Sequence, residues 1–318
     1  MNLSTIDLSA TATISLGVGV NPSWIASRPD GQRIYVLTAG DGQVHTIRID
    51  NTVVPTAVGV GANYVLYDKG LNRLYVTSPA PAPGANGLVY VFSATGDLPT
   101  ALMTPSPNPP GALVIPAVPP CATAPATCGP VIPTSVAALP DGSRFYVASY
   151  QVQSPCSDPN AGTGSCVIPM VTVFDAGSLT IRAASSSIFG AELSLLANPC
   201  PTGSTPPGGA STPCVQTFAS GQYAVPRSTS CDPAPVYSPT SMRFRLFATA
   251  SADSSHVYVS ICDAGAIADI STNTNTLTQG TNANDKLVTD LLAPLSAGAP
   301  GVNGQPSPQT PVFLLAGQ

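Results

Sequence analysis

Few side chains in this chain are suited to acid–base, metal or redox chemistry. Besides sixteen Asp and Glu, they are two histidines, His45 and His256, and eight cysteines at 121, 128, 156, 166, 200, 214, 231 and 262. Imidazole titrates near neutrality, so His45 and His256 are the candidate general bases of any hydrolase built here. Each also has a structural reading. His45 stands inside a strand-like run with no second histidine nearby, and His256 replaces an arginine in the repeat described below. No Gly-x-Ser-x-Gly elbow, Asp-x-Asp-x-Asp loop or Cys-x-x-Cys-His segment is present, so a serine nucleophile, a dedicated calcium loop and a covalent haem lack their signatures. No cofactor is implied.

Cys121, Cys128, Cys156, Cys166, Cys200, Cys214, Cys231 and Cys262 lie among Pro, Ser, Thr and Gly, with no Cys-x-x-Cys pair and only two histidines to complete a zinc site. Disulfides are the expectation, and with them an extracellular, periplasmic or cell-surface location. Nearest-neighbour pairing (121 with 128, 156 with 166, 200 with 214, 231 with 262) is the simplest of many connectivities. Met1 to Leu8 has neither a basic stretch nor an apolar export segment, so a signal was removed or belongs to a longer chain.

The elements that must position these groups follow from composition and repeat. Of 318 residues 43% are apolar, only 8% are charged, and Gly and Pro number 28 and 35. Helix breakers at that density, with few charges for helix surface ion pairs, point to an all-β chain with long loops. The net charge of −5 and the lack of any basic stripe exclude nucleic acid as a natural partner. No run of eighteen apolar residues exists, so membrane insertion by a helix is not expected.

The segment Asp30-Gly31-Gln32-Arg33-Ile34-Tyr35-Val36 recurs as Gly70-Leu71-Asn72-Arg73-Leu74-Tyr75-Val76, as Asp141-Gly142-Ser143-Arg144-Phe145-Tyr146-Val147 and as Asp253-Ser254-Ser255-His256-Val257-Tyr258-Val259. Each copy reads as a turn followed by a buried strand, with a strand before it (Pro22 to Ala26, Pro133 to Ala138), a third after it (Val44 to Asp50, Leu88 to Ser93, Val171 to Asp175, Ile267 to Ile270) and in places a fourth (Val53 to Val60, Ile181 to Ile188). Four antiparallel strands per unit of about 40 residues is a β-propeller blade. Trp24, Tyr35, Tyr75, Tyr146 and Tyr258 recur with the strands and are expected to pack blades. The repeated basic residue is expected to meet a turn Asp or a neighbouring carbonyl. Asp7, Asp50, Asp175 and Asp269 recur near third-strand ends, where turn capping is a commoner role than a carboxylate ring. Gly17-Val18-Gly19 and Gly59-Val60-Gly61 fall at blade junctions and do not complete a dinucleotide fingerprint.

The interval between copies grows from 40 residues (Arg33 to Arg73) to 71 (Arg73 to Arg144) and 112 (Arg144 to His256). The excess places Pro- and Cys-rich insertions at about 79–133, 150–170 and 195–242, within a single domain over 1–318; the longest interval has room for a degenerate blade. Ile6-Asp7-Leu8 resembles Ala268-Asp269-Ile270, so the chain starts mid-blade. Two arrangements remain open: the C-terminal part of a seven-bladed propeller, whose remaining blades lie upstream, or a small ring closed by Val312-Phe313-Leu314.

Residues 6–38 carry the fullest pattern: Ile6-Asp7-Leu8, Ile14, Gly17, Pro22, Pro29-Asp30-Gly31-Gln32-Arg33 and Ile34-Tyr35-Val36-Leu37-Thr38. With Tyr75-Val76-Thr77-Ser78, this is similar to the YVTN-type β-propeller repeat. The resemblance implies surface-layer-like or secreted binding proteins, lactonase-like hydrolases or haem-carrying propellers. The expectation is a non-enzymatic binding scaffold whose inserted loops meet a protein or carbohydrate ligand. The alternative is a lactonase-like hydrolase at the mouth of the propeller channel, using His45, His256 or a ring Asp.

Overall fold

A computed structural model describes residues 2–3, 10–59, 61–79, 86–96, 98–102, 111–117, 121, 127–182, 192–194, 222–232, 245–264, 266–273 and 276–277. These are all-β, with three single-turn 3-10 segments and no α-helix. A short hairpin, β1 (Asn2–Leu3) and β2 (Ala10–Ala12), precedes four antiparallel sheets. The first blade is β3 (Pro22–Ser27), β4 (Arg33–Thr38), β5 (Gln43–Arg48) and β6 (Val53–Ala57). The second is β7 (Tyr64–Asp68), β8 (Arg73–Ser78), β9 (Gly87–Ser93) and β10 (Thr100–Ala101), and β11 (Ala112–Ile115) also pairs with β9. The third is β12 (Ile132–Ala138), β13 (Arg144–Gln153), β14 (Cys166–Asp175) and β15 (Glu192–Ser194), with β16 (Val225–Pro226) added beside β14. The fourth is β17 (Leu246–Ala250), β18 (His256–Ile261), β19 (Ala266–Ser271) and β20 (Thr276–Leu277). Each sheet is a meander in sequence order, and the first strands β3, β7, β12 and β17 pack on one another in succession. This is propeller architecture.

The inserted stretches contribute strands to the blades. Within 79–133, besides the third strand expected at Leu88 to Ser93, Ala112–Ile115 joins the second sheet. Much of 150–170 is strand: β13 and β14 are ten residues each and pair along their full length. Among the described residues Glu192–Ser194 pairs as the fourth strand of the third blade and Ile181 makes a single bridge to Phe174, while 183–188 of the expected Ile181 to Ile188 strand lie outside the described residues. Among the described residues the longest interval adds β15 and β16 to the third sheet, and no further blade.

The turn between the first two strands repeats its chemistry. Asp30, Asp141 and Asp253 each accept a hydrogen bond from the backbone N–H two residues on, at 2.9–3.0 Å, and Asp68 does the same for Gly70 at 2.8 Å. Gly31, Gly142 and Ser254 take the left-handed conformation this turn requires (φ 69°, 71° and 62°). The following strand alternates its side chains between two blade interfaces. Leu74 and Val76 face the first blade, where they meet Tyr35 and Leu37, while Tyr75 faces the third. Phe145 and Val147 face back to Tyr75, with the Tyr75 and Phe145 rings 4.6 Å apart, while Tyr146 and Ala148 face Val257 and Val259 of the fourth blade. Tyr35, Tyr75 and Tyr146 are buried to 1% exposure or less. Every internal interface therefore sets a forward face containing Tyr against a backward aliphatic or aromatic face.

The repeated basic residue ties those interfaces together. Arg73 donates to the carbonyl of Ala176 in the third blade, and Arg144 to that of Thr272 in the fourth. In the first blade Arg28, at the start of the same turn, donates to the carbonyl of Ala94 at 3.3 Å. Ala94, Ala176 and Thr272 are equivalent, each being the residue just past its blade's third strand. At the repeat position itself, Arg73 and Arg144 reach a carbonyl of the next blade, whereas Arg33 donates to the adjacent Gln32 carbonyl of its own blade and His256 bonds Asp269.

Arg144→Ala should cost about 1.5–3 kcal/mol in urea unfolding, the range for a hydrogen bond from a charged group. Arg144→Lys should recover part of it. A second outcome concerns pH. Hydrogen bonds from the Ser178 amide and hydroxyl hold the Asp175 carboxyl below the usual carboxylate range. Its contribution is present above the unfolded value of about 3.9 and is lost as pH falls through the lower folded value. Asp175→Asn should therefore lower stability at pH 7 and flatten the stability profile in acid.

Candidate binding surface

Antiparallel meanders sort their connections. The links between blades and the turns between second and third strands emerge at one end, here the loop end; the other turns lie at the opposite, turn end. All three described disulfides are at the loop end. Cys121–Cys128 precedes β12, Cys156–Cys166 closes the tip of the β13–β14 hairpin, and Cys231–Cys262 joins the approach to β17 to the β18–β19 connection. These are three of the expected nearest-neighbour pairs; Cys200 and Cys214 lie outside the described residues.

Asp158, 1% exposed, organises this end. One carboxylate oxygen caps the 3-10 turn Pro159–Ala161 through the Asn160 amide at 2.9 Å, and the other accepts from the Tyr223 and Ala224 amides at 2.7 and 2.9 Å. That pins the segment 222–227 along the hairpin tip, where the Arg227 amide donates to the Ser165 carbonyl and the Ser157 and Tyr223 hydroxyls meet at 2.9 Å. Cys121, Cys128, Ala161, Cys166, Ile168, Met170 and Ala224 form a small core of their own beneath it. A rigid extension of the third blade results, built from inserted sequence.

Arg245, 2% exposed, links that extension to the fourth blade. Its guanidinium pairs with Asp263 and Asp232 and lies over the Tyr150 ring, 5.2 Å from the centroid. Arg227 meets Asp232 at 2.9 Å on the solvent side, and the Ser228 amide donates to Asp263 at 2.8 Å. Burial pushes the Asp263 carboxyl up, and the Ser228 amide and Arg245 act against that rise. Sequence reasoning passed over this cluster. Its signal was an aspartate directly after each of two cysteines, Cys231-Asp232 and Cys262-Asp263, in a chain that is only 8% charged.

The two histidines do not join it, or each other. His45, 5% exposed, lies 3.2 Å from Asp41, whose other oxygen accepts from the Thr38 hydroxyl, so the group closes the β4–β5 turn at the loop end of the first blade. Burial opposes ionisation of Asp41, but these hydrogen bonds keep its carboxyl below the usual range. His256 pairs with Asp269 at 2.8 Å and stacks on Tyr258, rings 6.0 Å apart, at the turn end of the fourth blade. Among the described residues no group of three His, Cys, Asp or Glu side chains could hold a metal. Asp50 and Asp175 do cap turns, through the amides of Thr52 and Ser178. Asp269 instead sits within β19 and bonds His256. Asp7 lies outside the described residues.

Trp24, Tyr64 and Phe247, from the first strands of the first, second and fourth blades, form an aromatic cluster with centroid separations of 5.3, 5.8 and 6.5 Å. It occupies the space between those innermost strands, toward which a channel-mouth site would open.

No protein-family model and no curated protein matches the chain. Among solved structures it is similar to hydrazine synthase of Kuenenia stuttgartiensis (13% identity, TM-score 0.43, 79% of this chain and 53% of that one). It is also similar to a putative 6-phosphogluconolactonase from Bacteroides uniformis (10%, 0.39, 82% and 54%) and the periplasmic gluconolactonase of Pseudomonas aeruginosa (13%, 0.37, 80% and 52%). The chain spans little more than half the length of each. Identities and TM-scores this low transfer neither residue roles nor activity.

Arg245→Ala, which strands a buried carboxylate, should cost roughly 3–5 kcal/mol in urea unfolding. Opening the 31-residue Cys231–Cys262 link by the double Ser variant should cost about 3–4 kcal/mol and expose 227–232 to proteolysis first.

Proposed function

We propose that this chain is an extracytoplasmic β-propeller of YVTN type, with residues 1–318 forming one propeller domain, and that it acts as a non-enzymatic scaffold for a protein or carbohydrate ligand. The observation that carries the reading is that the three described disulfides lie at one end of the blades, around the β13–β14 extension. Loops held on a rigid frame are where recognition commonly resides. Disulfides fit an oxidising compartment, and no described helix is long and apolar enough to cross a membrane. Eleven Lys and Arg against sixteen Asp and Glu are few cations for a polyanion, while the Ser, Thr, Tyr and Pro of the loops suit neutral ligands.

The lactonase-like alternative asks for a base and a second polar group in one concave site. His45 and His256 are instead engaged with separate carboxylates at opposite ends of different blades. Immobilised glycans and surface-protein extracts presented to the purified chain test the proposal. Replacing 154–165 by a two-residue Asn-Gly turn, which also removes the Cys156–Cys166 link, should cut binding at least tenfold while leaving the β-sheet circular dichroism intact. Hydrolysis of gluconolactone above the buffer rate, abolished by His45→Ala or His256→Ala, would instead establish the enzyme.

A further inference from the structure

Three of the chain's nine arginines stand in one row. The Arg28 amide pairs with the Arg33 carbonyl where the first blade's turn begins, and Arg33 lies directly opposite Arg48 on β5. Residues in register share a face, so Arg28, Arg33 and Arg48 project from one side of three successive segments, about 5 Å apart. It is the side that carries Tyr35 and meets the second blade, where Arg28 donates to the Ala94 carbonyl. The other blades show that the fold does not require such a row. The same positions hold Asp68, Arg73 and Ser93 in the second blade, Leu139, Arg144 and Asp175 in the third, and Ser251, His256 and Ser271 in the fourth. Each has one basic residue, which in Arg73 and Arg144 is the latch to the next blade, and each latch has a carboxylate in its row.

We propose that the row Arg28, Arg33 and Arg48 binds a single oxyanion, the sulfate, phosphate or carboxylate group of a small ligand, at the turn end of the first blade. Like charges directly opposite on neighbouring strands destabilise a sheet, and this blade sets two such pairs side by side. The carboxylates at hand are engaged: Asp30 gives one oxygen to Arg28 at 2.6 Å and the other to the Gln32 amide, and Asp50 turns one to the Thr52 amide and hydroxyl. Among the described residues no carboxylate comes within ion-pair distance of the Arg48 guanidinium. The Nε–H groups of Arg28 and Arg48 are out of contact with water and meet no acceptor there, and buried donors call for one. The row also keeps surface in solvent, with the Arg28 side chain 19% exposed and Arg33 and Arg48 half-buried. Guanidinium forks match the paired oxygens of such groups. Exposed Asp30 and Asp50 beside the row would repel an extended polyanion, which restricts the site to one acidic group.

The test uses the intact, disulfide-bonded chain. Equilibrium dialysis with labelled sulfate should show one site per chain. Sulfate at ten times its dissociation constant should raise the Tm by about 3 °C over sodium chloride of equal ionic strength. Phosphate and glucuronate, run as competitors, identify which acid group the site prefers. Arg48→Ser, which matches the second and fourth blades, should abolish the sulfate site and leave the Tm in chloride no lower than the parent's, because a like-charge pair is gone. Should that variant not fold, Arg48→Lys answers the same question: it keeps the charge without the fork and should bind sulfate at least about tenfold more weakly. No saturable site for any of the three anions in the parent would overturn the proposal. A sulfate response of equal size in the Arg48 variants would also overturn it, since that is the general exclusion of sulfate from protein surface.

Discussion

The fold depends on one contact, repeated: a buried Tyr from one blade against the apolar face of the next, closed by an arginine that reaches a backbone carbonyl of that next blade. A four-stranded sheet with one unburied face is marginal in water, and stacking is what removes both faces from solvent. The arginine adds direction. It satisfies a carbonyl just past the third strand, which fixes how far each blade slides on its neighbour. The low charge content fits this arrangement, because strands buried between blades have little room for charge, and three of the eleven Lys and Arg make these interblade bonds.

Much of this was legible in the residues. Asp30-Gly31 and Asp141-Gly142 announced turns through the φ > 0 position and the Asx hydrogen bond, and the apolar-Tyr-apolar run announced period-2 burial. The cysteine pairs followed sequence proximity at 121 and 128, 156 and 166, and 231 and 262. Partner choice across blades was not legible. The sequence shows that Arg73 and Arg144 recur, but the carbonyls they reach lie 103 and 128 residues away, and any carbonyl reads alike. For the same reason Arg245 was missed: its partners straddle an insertion. The length of β13 and β14 was also hidden, because Pro155 and Pro169 read as loop although Pro169 is held within the β14 ladder.

The structure keeps the two histidines apart. His45 and His256 looked alike as scarce, titratable groups, yet each is paired with an aspartate inside its own blade, one closing a turn and one standing in for a latch arginine. What distinguishes this chain from a plain stack of blades is the loop end, where Asp158, Arg245 and three disulfides give inserted sequence a small core and fixed backbone. Specificity built there would be independent of the blades' own repeat.

The single tryptophan provides the most direct measurement of the central claim that the blades interlock as one unit. Trp24 touches Tyr64 of the second blade and Phe247 of the fourth, so its fluorescence reports the assembly of three blades. Urea unfolding followed at once by Trp24 emission and by far-ultraviolet circular dichroism should give superimposable transitions. A Trp24 transition complete at lower urea, with the sheet signal intact, would contradict the account.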